Sequence, residues 1–290
     1  MSFKELLDSG KFAVTVELQP PKGTDLTETF ALSEQWKNRL HAINIPDLQG
    51  AIMRLGSLPV CTLLKQKGIE VIYNLSCGHR NRLALQSELL NASVLGLKNL
   101  LLLQGDLPAL GDHFEAQPVS DLEVMGLLEA ARRLQEGVDL AGNDLKGKPS
   151  FFIGTQINAA AQGTLLDAEL LQMEKKIQQG ARFFITGSIY DPRLLEHFIK
   201  RVAHFKVPIL VSLTLLKSVG MARYISKHVE GASIPEAILD RLLKASDKQR
   251  VSMEIAGDLI TEIKPLCQGI QIIPLGWEHL VLPLLDLVGL

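Results

Sequence analysis

Glu17 is the residue in this chain whose surroundings most favour proton chemistry. It stands in VTVELQPP, residues 14–21, between Val16 and Leu18 and just before Pro20 and Pro21. A carboxyl among apolar side chains is desolvated, its pKa rises, and it can carry a proton near neutral pH and deliver it. An ion pair with a Lys or Arg at the rim of a fold is the competing, structural reading. Asp106 is the second carboxylate of interest. It follows LLLLQG, where Gly105 lets the backbone approach a ligand closely. A turn or helix N-cap role is the alternative for it. Further polar side chains end the apolar runs: Asp47, Asn74 with Ser76, Gln104, Gln156 with Asn158, Thr186 with Ser188, and Ser212 with Thr214. Lys175 and Lys176 form a basic pair in a helical segment, suited to solvent or to a phosphate. His79 and Arg80 lie in SCGHRNR with no second His close in sequence, so a metal site is not indicated.

Eight short apolar, β-rich runs must position these residues: Phe12–Leu18, Ala42–Asp47, Val71–Cys77, Asn99–Gly105, Phe151–Asn158, Phe183–Tyr190, Pro208–Leu216 and Gly269–Gly276. Their near-continuous apolar character is that of strands buried on both faces, as in a parallel sheet. Helical periodicity fills the gaps, over Phe30–Asn38, Leu55–Lys67, Arg82–Leu95, Asp121–Leu134, Asp167–Gln179 and Leu194–Ala203. Asp191-Pro192 is an N-cap followed by Pro at the first helical position, and Gly180 is a helix stop. Residues 218–264 read as extra helices between the last two strands, punctuated by Gly231 and Pro235. Eight alternating units with no distinctly polar edge strand predict a closed (β/α)8 TIM barrel in a single domain, residues 1–290, with extra helices between strands 7 and 8. In such a barrel, chemistry sits at the C-terminal ends of the strands, where the polar residues above cluster. Asp106–Ser120 is a long Pro- and Gly-containing loop, and loops of that length in compact domains are usually functional.

Composition narrows the partners. A net charge of -2 across 290 residues implies neither nucleic acid nor an anionic membrane surface. The apolar runs are too short to span a bilayer, and residues 1–11 lack the apolar core of a signal peptide. Cys61, Cys77 and Cys267 are odd in number and without C-x-x-C spacing, so reduced thiols and a cytoplasmic location are expected. No G-x-G-x-x-G follows a strand, which weighs against a Rossmann site.

VTVELQPPKG, LLLLQGDLP, FFITGSIYD, CGHRNRLALQSELLNASVLG and EGASIPEAILDRL together resemble the methylenetetrahydrofolate reductase family. The likeness is to its short form, found beside corrinoid or folate one-carbon proteins, and runs from about residue 10 to residue 285. The resemblance implies the same barrel and the reduction of methylenetetrahydrofolate to methyltetrahydrofolate through noncovalent FAD. NADH, NADPH or a partner protein would supply the electrons, and a homo-oligomer or a complex with other one-carbon enzymes is compatible with it. Glu17 matches the family's E-x-x-P-P glutamate, which protonates a folate nitrogen and opens the bridge to an iminium that accepts hydride. Asp106 matches the G-D-x-P aspartate, which lies by flavin and pterin and tunes both. The isoalloxazine would lie over strands 3 to 5, by Asn74 and Ser76 and along the backbone of Leu103, Gln104 and Gly105. Asn158 and Lys176 would meet the diphosphate; Asp47, Thr186 and Gly187 would face the folate.

The chain also departs from the pattern. Gly187 stands where the family has a folate-contacting Gln, and Val219 where it often has an aromatic. Cys77-Gly78-His79-Arg80-Asn81 replaces the common C-R-D-R-N. A pterin-binding methyl-transfer or accessory protein without flavin is therefore the second reading.

Overall fold

In the computed structural model, which describes residues 1–229 and 232–290, all eight apolar runs are strands. They are β1 (Ala13–Glu17), β2 (Ala42–Ile45), β3 (Val71–Ser76), β4 (Asn99–Leu103), β5 (Phe152–Ile157), β6 (Phe183–Ser188), β7 (Ile209–Thr214) and β8 (Gly269–Ile273). Each pairs in parallel with its sequence neighbour, and β8 returns to β1, so the sheet closes as a barrel in the order β1 to β8. Closure removes every edge, which is why no strand needed to be polar.

The period of two along each strand sorts side chains into two cores. Val14, Val16, Ile43, Ile45, Leu100 and Leu102 face outward onto the helices. Ala13, Ala42, Ile72, Leu101, Phe183 and Leu210 fill the lower barrel. The helical layer is α2 (Thr27–Trp36), α3 (Ser57–Gln66), α4 (Arg82–Val94), α5 (Val124–Glu136), α6 (Thr164–Gln178) and α7 (Pro192–Val202). Asp191 caps α7 through Arg193 N–H, with Pro192 at the first helical position, as its sequence predicts. Between β7 and β8 come α8 (Val219–His228), α9 (Glu236–Lys244) and α10 (Lys248–Ile263). Pro235 immediately precedes α9; Gly231, read as a break, lies outside the described residues.

Two helices were not legible in the apolar periodicity, α1 (Phe3–Asp8) and α11 (Val281–Leu287). The signal for α1 is a capping box: Ser2 Oγ accepts from Glu5 N–H while Glu5 accepts from Ser2 N–H. This helix plugs the floor of the barrel. Phe3 stands edge-on to Phe152 and Phe183, at centroid distances of 6.3 and 5.6 Å. The lower end of the barrel interior is thus closed by aromatic packing. Among the described residues, no helix is long and apolar enough to cross a membrane, and no group of three or more His, Cys, Asp or Glu is placed to hold a metal ion.

Candidate active site

Glu17 is the last residue of β1 and points into the barrel, 6% exposed, at the base of a mouth cavity of about 510 Å³. Val14, Val16 and Leu18 belong to the outer core, so they are not what desolvates it, contrary to the simplest reading of VTVEL. The barrel interior does that. Burial pushes the Glu17 carboxyl up to about 7, opposed by a hydrogen bond from the Gln49 side chain. No cation pairs with it among the described salt bridges, so the rim ion-pair reading does not hold. Gln49 is in turn held by Gln19, whose Nε2 donates to Gln49 Oε1 at 2.7 Å.

The turn carrying Gln49 follows β2 and is strained: Leu48 and Ala51 have φ of 50° and 53°. Three contacts hold it. Asp47 Oδ2 accepts from Ser76 N–H (2.9 Å), Ser76 Oγ (2.8 Å) and Arg80 Nη1 (2.7 Å), while Oδ1 accepts from Arg80 Nη2 (3.1 Å). Asp106 Oδ2 accepts from Gly50 N–H at 2.7 Å. Asp112, on the loop after β4, pairs with Lys22 and accepts from Met53 N–H at 2.9 Å. The loop after β4 therefore straps across the mouth to the β1 and β2 loops. Gly111 fits only because it has no side chain, since a Cβ there would lie 1.9 Å from Ala51 O. Gly105, at φ +84°, has the same constraint, because a Cβ would meet Ser76 Cβ at 2.9 Å.

The mouth gathers Glu17, Asp47, Asn74, Ser76, Asp106 and Gly187, together with Leu103–Gly105 and Thr186. Several are engaged by the protein itself. Asp47 and Ser76 bind each other, which makes Asp47 a brace between β2 and β3. Thr186 Oγ1 donates to Gly187 O (2.6 Å) and accepts from Ser212 N–H (3.2 Å), at a register shift between Ile185 and Ser188. That irregularity sets Ser188 Oγ 2.7 Å from Thr214 Oγ1. A Cβ on Gly187 would meet nothing within 4 Å, so β6 leaves the mouth open there. Gln104 turns its Oε1 to Val124 N–H and Cys77 Sγ.

A second cleft, about 280 Å³, runs on from the mouth over β4 and β5, sharing Leu103, Gln104, Gln156 and Gly187 with it. Lys176 and Asn158 lie at its far end. Lys176 Nζ donates to Gln156 O at 2.9 Å and stands 3.9 Å from Glu169. Burial lowers the Lys176 pKa, and Glu169 raises it. Asn158 donates its N–H to Glu169 Oε1 and caps Ala160 N–H with Oδ1. Lys175, by contrast, is exposed. The lining fits a flavin dinucleotide: an uncharged backbone trough beside the mouth, then one cation for a phosphate and one carboxylate for sugar hydroxyls. In the mouth itself, the buried Asn74 Oδ1 has no partner and is free for a ligand. Glu169, Gln49, Asn44 and Gln271 escaped the sequence reading. For the last two there was a signal, a lone polar side chain in AINI and in GIQII.

A parallel barrel with one closed end, a buried acid at the open end and a side cleft ending in a lysine is a (β/α)8 TIM barrel, the class of fold whose sites lie at the C-terminal strand termini. The profile of the methylenetetrahydrofolate reductase family matches residues 2–281, and the chain belongs to that family. It is 25% identical over 212 residues to methylenetetrahydrofolate reductase 2 of Schizosaccharomyces pombe, an alignment covering 69% of this chain and 32% of that protein. The chain thus spans about a third of that relative's length. Among solved structures it is similar to a Clostridium thermocellum protein that binds two copies of 5-methyl-5,6,7,8-tetrahydrofolic acid, with a TM-score of 0.64, 18% identity, and 99% and 98% of the two chains covered. It is also similar to the coenzyme F420-dependent tetrahydromethanopterin reductase of Methanopyrus kandleri, with a TM-score of 0.53, 13% identity, and 96% and 97% coverage.

Proposed function

We propose that this protein reduces methylenetetrahydrofolate to methyltetrahydrofolate, with FAD in the side cleft and the folate in the mouth. The observation that carries the reading is Glu17: a carboxyl raised to about 7, without a cationic partner, at the floor of a cavity large enough for a heterocycle. Reduction of the one-carbon bridge requires that the five-membered ring open first, and opening requires a proton on a weakly basic nitrogen. Glu17 holds that proton near neutral pH and delivers it, leaving a carboxylate and an iminium on the substrate. Asp106, fixed by Gly50 N–H at the edge of the mouth, orients the pterin through hydrogen bonds. Lys176 and Glu169 would hold the phosphate and ribose portions of the cofactor, with Leu103–Gly105 lining the cleft beside it. A flavin held there would supply the hydride, with electrons from NADH, NADPH or a partner protein. Membership of the family supports the reading, as does the similar C. thermocellum fold that holds the methylated folate.

The openness at Gly187 favours the second reading to this extent: a side chain that would fix the pterin from β6 is lacking, so a barrel that binds pterin without reducing it remains the alternative. The visible spectrum of the purified protein, with and without added FAD, separates the two. A yellow protein bleached by NADH or dithionite, then reoxidised by methylenetetrahydrofolate, establishes the reductase. A folded protein that binds methyltetrahydrofolate but neither retains nor takes up FAD establishes the alternative.

A further inference from the structure

Beside Glu17, the barrel wall carries polar side chains that the reaction above does not use. Asn44 is the register partner of Glu17 on β2, 1% exposed, and neither its Oδ1 nor its Nδ2 has a partner. Gln271 on β8, 3% exposed, has an unpaired Oε1, and its neighbour across the ladder is Thr15, two residues before Glu17. Asn74 Oδ1 and Glu17 Oε1 are unpaired as well. All four side chains line the mouth cavity. Period-two alternation explains the ring: residues 15 and 17, 44, 74 and 271 all take the inward position, while their neighbours take the outer core.

A buried amide with no partner costs on the order of 1–3 kcal/mol, so the wall is complementary to something that satisfies it. The inventory says what. Four buried acceptors and one buried donor, Asn44 Nδ2, are unpaired, and the amide nitrogens of Asn74 and Gln271 make no hydrogen bond within the protein either. The complement must both donate and accept hydrogen bonds, at the wall of the mouth cavity. Water does both, and buried water typically makes about three such bonds.

We infer that Asn44, Asn74 and Gln271 form a polar well that holds water beside Glu17, and that Asn44 and Gln271 are positioning residues whose water donates to Glu17 Oε1 and so sets how readily it releases its proton. The inference deepens the reductase reading and rests on it for its use, not for its existence. Water donating to Oε1 favours the carboxylate, against the desolvation that favours the acid. Drying the well removes that donor and deepens the desolvation, so both effects raise the pKa. The other ionisable groups on this wall are Asp47, held by Arg80, and Asp106, held by Gly50 N–H; neither touches Asn44 or Gln271.

The test is a direct titration of Glu17 in the ligand-free protein by pH-difference infrared spectroscopy, its band identified as the one lost in Glu17→Gln. Asn44→Leu should move the midpoint up by about one pH unit or more, whereas Asn44→Ser, which keeps a hydroxyl and room for water, should leave it within a few tenths. Gln271→Met carries the same test from the opposite wall and should also shift it up, so the inference stays testable if the Leu variant does not fold. A folded Asn44→Leu or Gln271→Met protein with an unmoved or lowered midpoint overturns the well. A raised midpoint in a protein that reduces no folate leaves the well standing and overturns the reductase reading instead.

Discussion

Glu17 is held in a state that costs the fold stability. Its carboxyl, ordinarily at 4.5, is raised to about 7 in the folded protein. A raised folded pKa means that the folded state binds the proton more tightly than the unfolded one, so stability falls as pH rises from 4.5 to about 7 and stays lower above that. Glu17→Gln removes the titration. Its denaturant midpoint should match the wild type near pH 4.5 and exceed it at pH 8 by about 2–3 kcal/mol of unfolding free energy. The same variant should slow folate reduction by about 10²–10⁴-fold while reduction of the flavin by the electron donor continues, because only the first needs the proton. In the wild type, folate reduction should decline as pH rises through about 7, the value at which Glu17 loses that proton. Stopped-flow measurement of the two half-reactions decides it: equal slowing of both would make Glu17 structural. Asp47 is a structural carboxylate. Its side chain is fully buried and its charge is matched by Arg80, which is 23% exposed. Asp47→Ala should therefore destabilise by about 2–4 kcal/mol, read as a lowered urea midpoint, because it leaves a partly buried guanidinium unpaired.

At the scale of elements, the two ends of the barrel have separate duties. The floor belongs to α1, whose Phe3 is 1% exposed against Phe152 and Phe183. Phe3→Ala should cost about 3–5 kcal/mol of stability and leave ligand affinities unchanged, since the cavity it opens lies at the far end from the mouth. Calorimetry beside a folate-binding titration tests both halves of that statement. The mouth belongs to the strained turn after β2 and the strap after β4. They meet at Gly105, Asp106 and Gly111, where backbone packs against backbone or against Ser76. Gly105→Ala should lower folate affinity about tenfold or more, because the new Cβ must push Ser76 away and with it Asp106 on the next residue. An unchanged affinity in a folded variant would mean that the strap is not the substrate's wall.

At the scale of the whole molecule, closure of the sheet makes one cavity the common property of eight strands, and its side cleft extends that cavity towards α6. A ligand that occupies both should stabilise the entire barrel, not one loop. At a FAD concentration one hundred times its Kd, the unfolding free energy should rise by about 2.7 kcal/mol and the thermal midpoint with it. Lys176→Met should weaken FAD binding about 10–100-fold, the worth of one charge-assisted hydrogen bond to phosphate. Folate binding should be unaffected, because Lys176 lines the side cleft and not the mouth. Fluorescence titration of each ligand against both proteins would show a uniform loss if the lysine were merely structural.

The sequence by itself determined the barrel. Eight doubly buried strands and their helices are written in local apolar periodicity, and the Asp191-Pro192 and Gly180 signals mark helix ends by rules that need no tertiary contact. It also marked Glu17 and Asp106, because a carboxylate inside an apolar run and one after a Gly-terminated strand are exceptions to local pattern. Tertiary structure alone decided what those residues meet. That Val16 and Leu18 turn away from Glu17, and that Asn44 and Gln271 lie near it, depends on strand register, fixed by pairings between residues 256 positions apart, such as Thr15 with Gln271. That Asp47 and Ser76 bind each other, and that Glu169 waits beside Lys176, likewise follows from closure and from the turn of α6 over β5. Local periodicity fixes which face a side chain takes; only the closed sheet fixes what lies across from it.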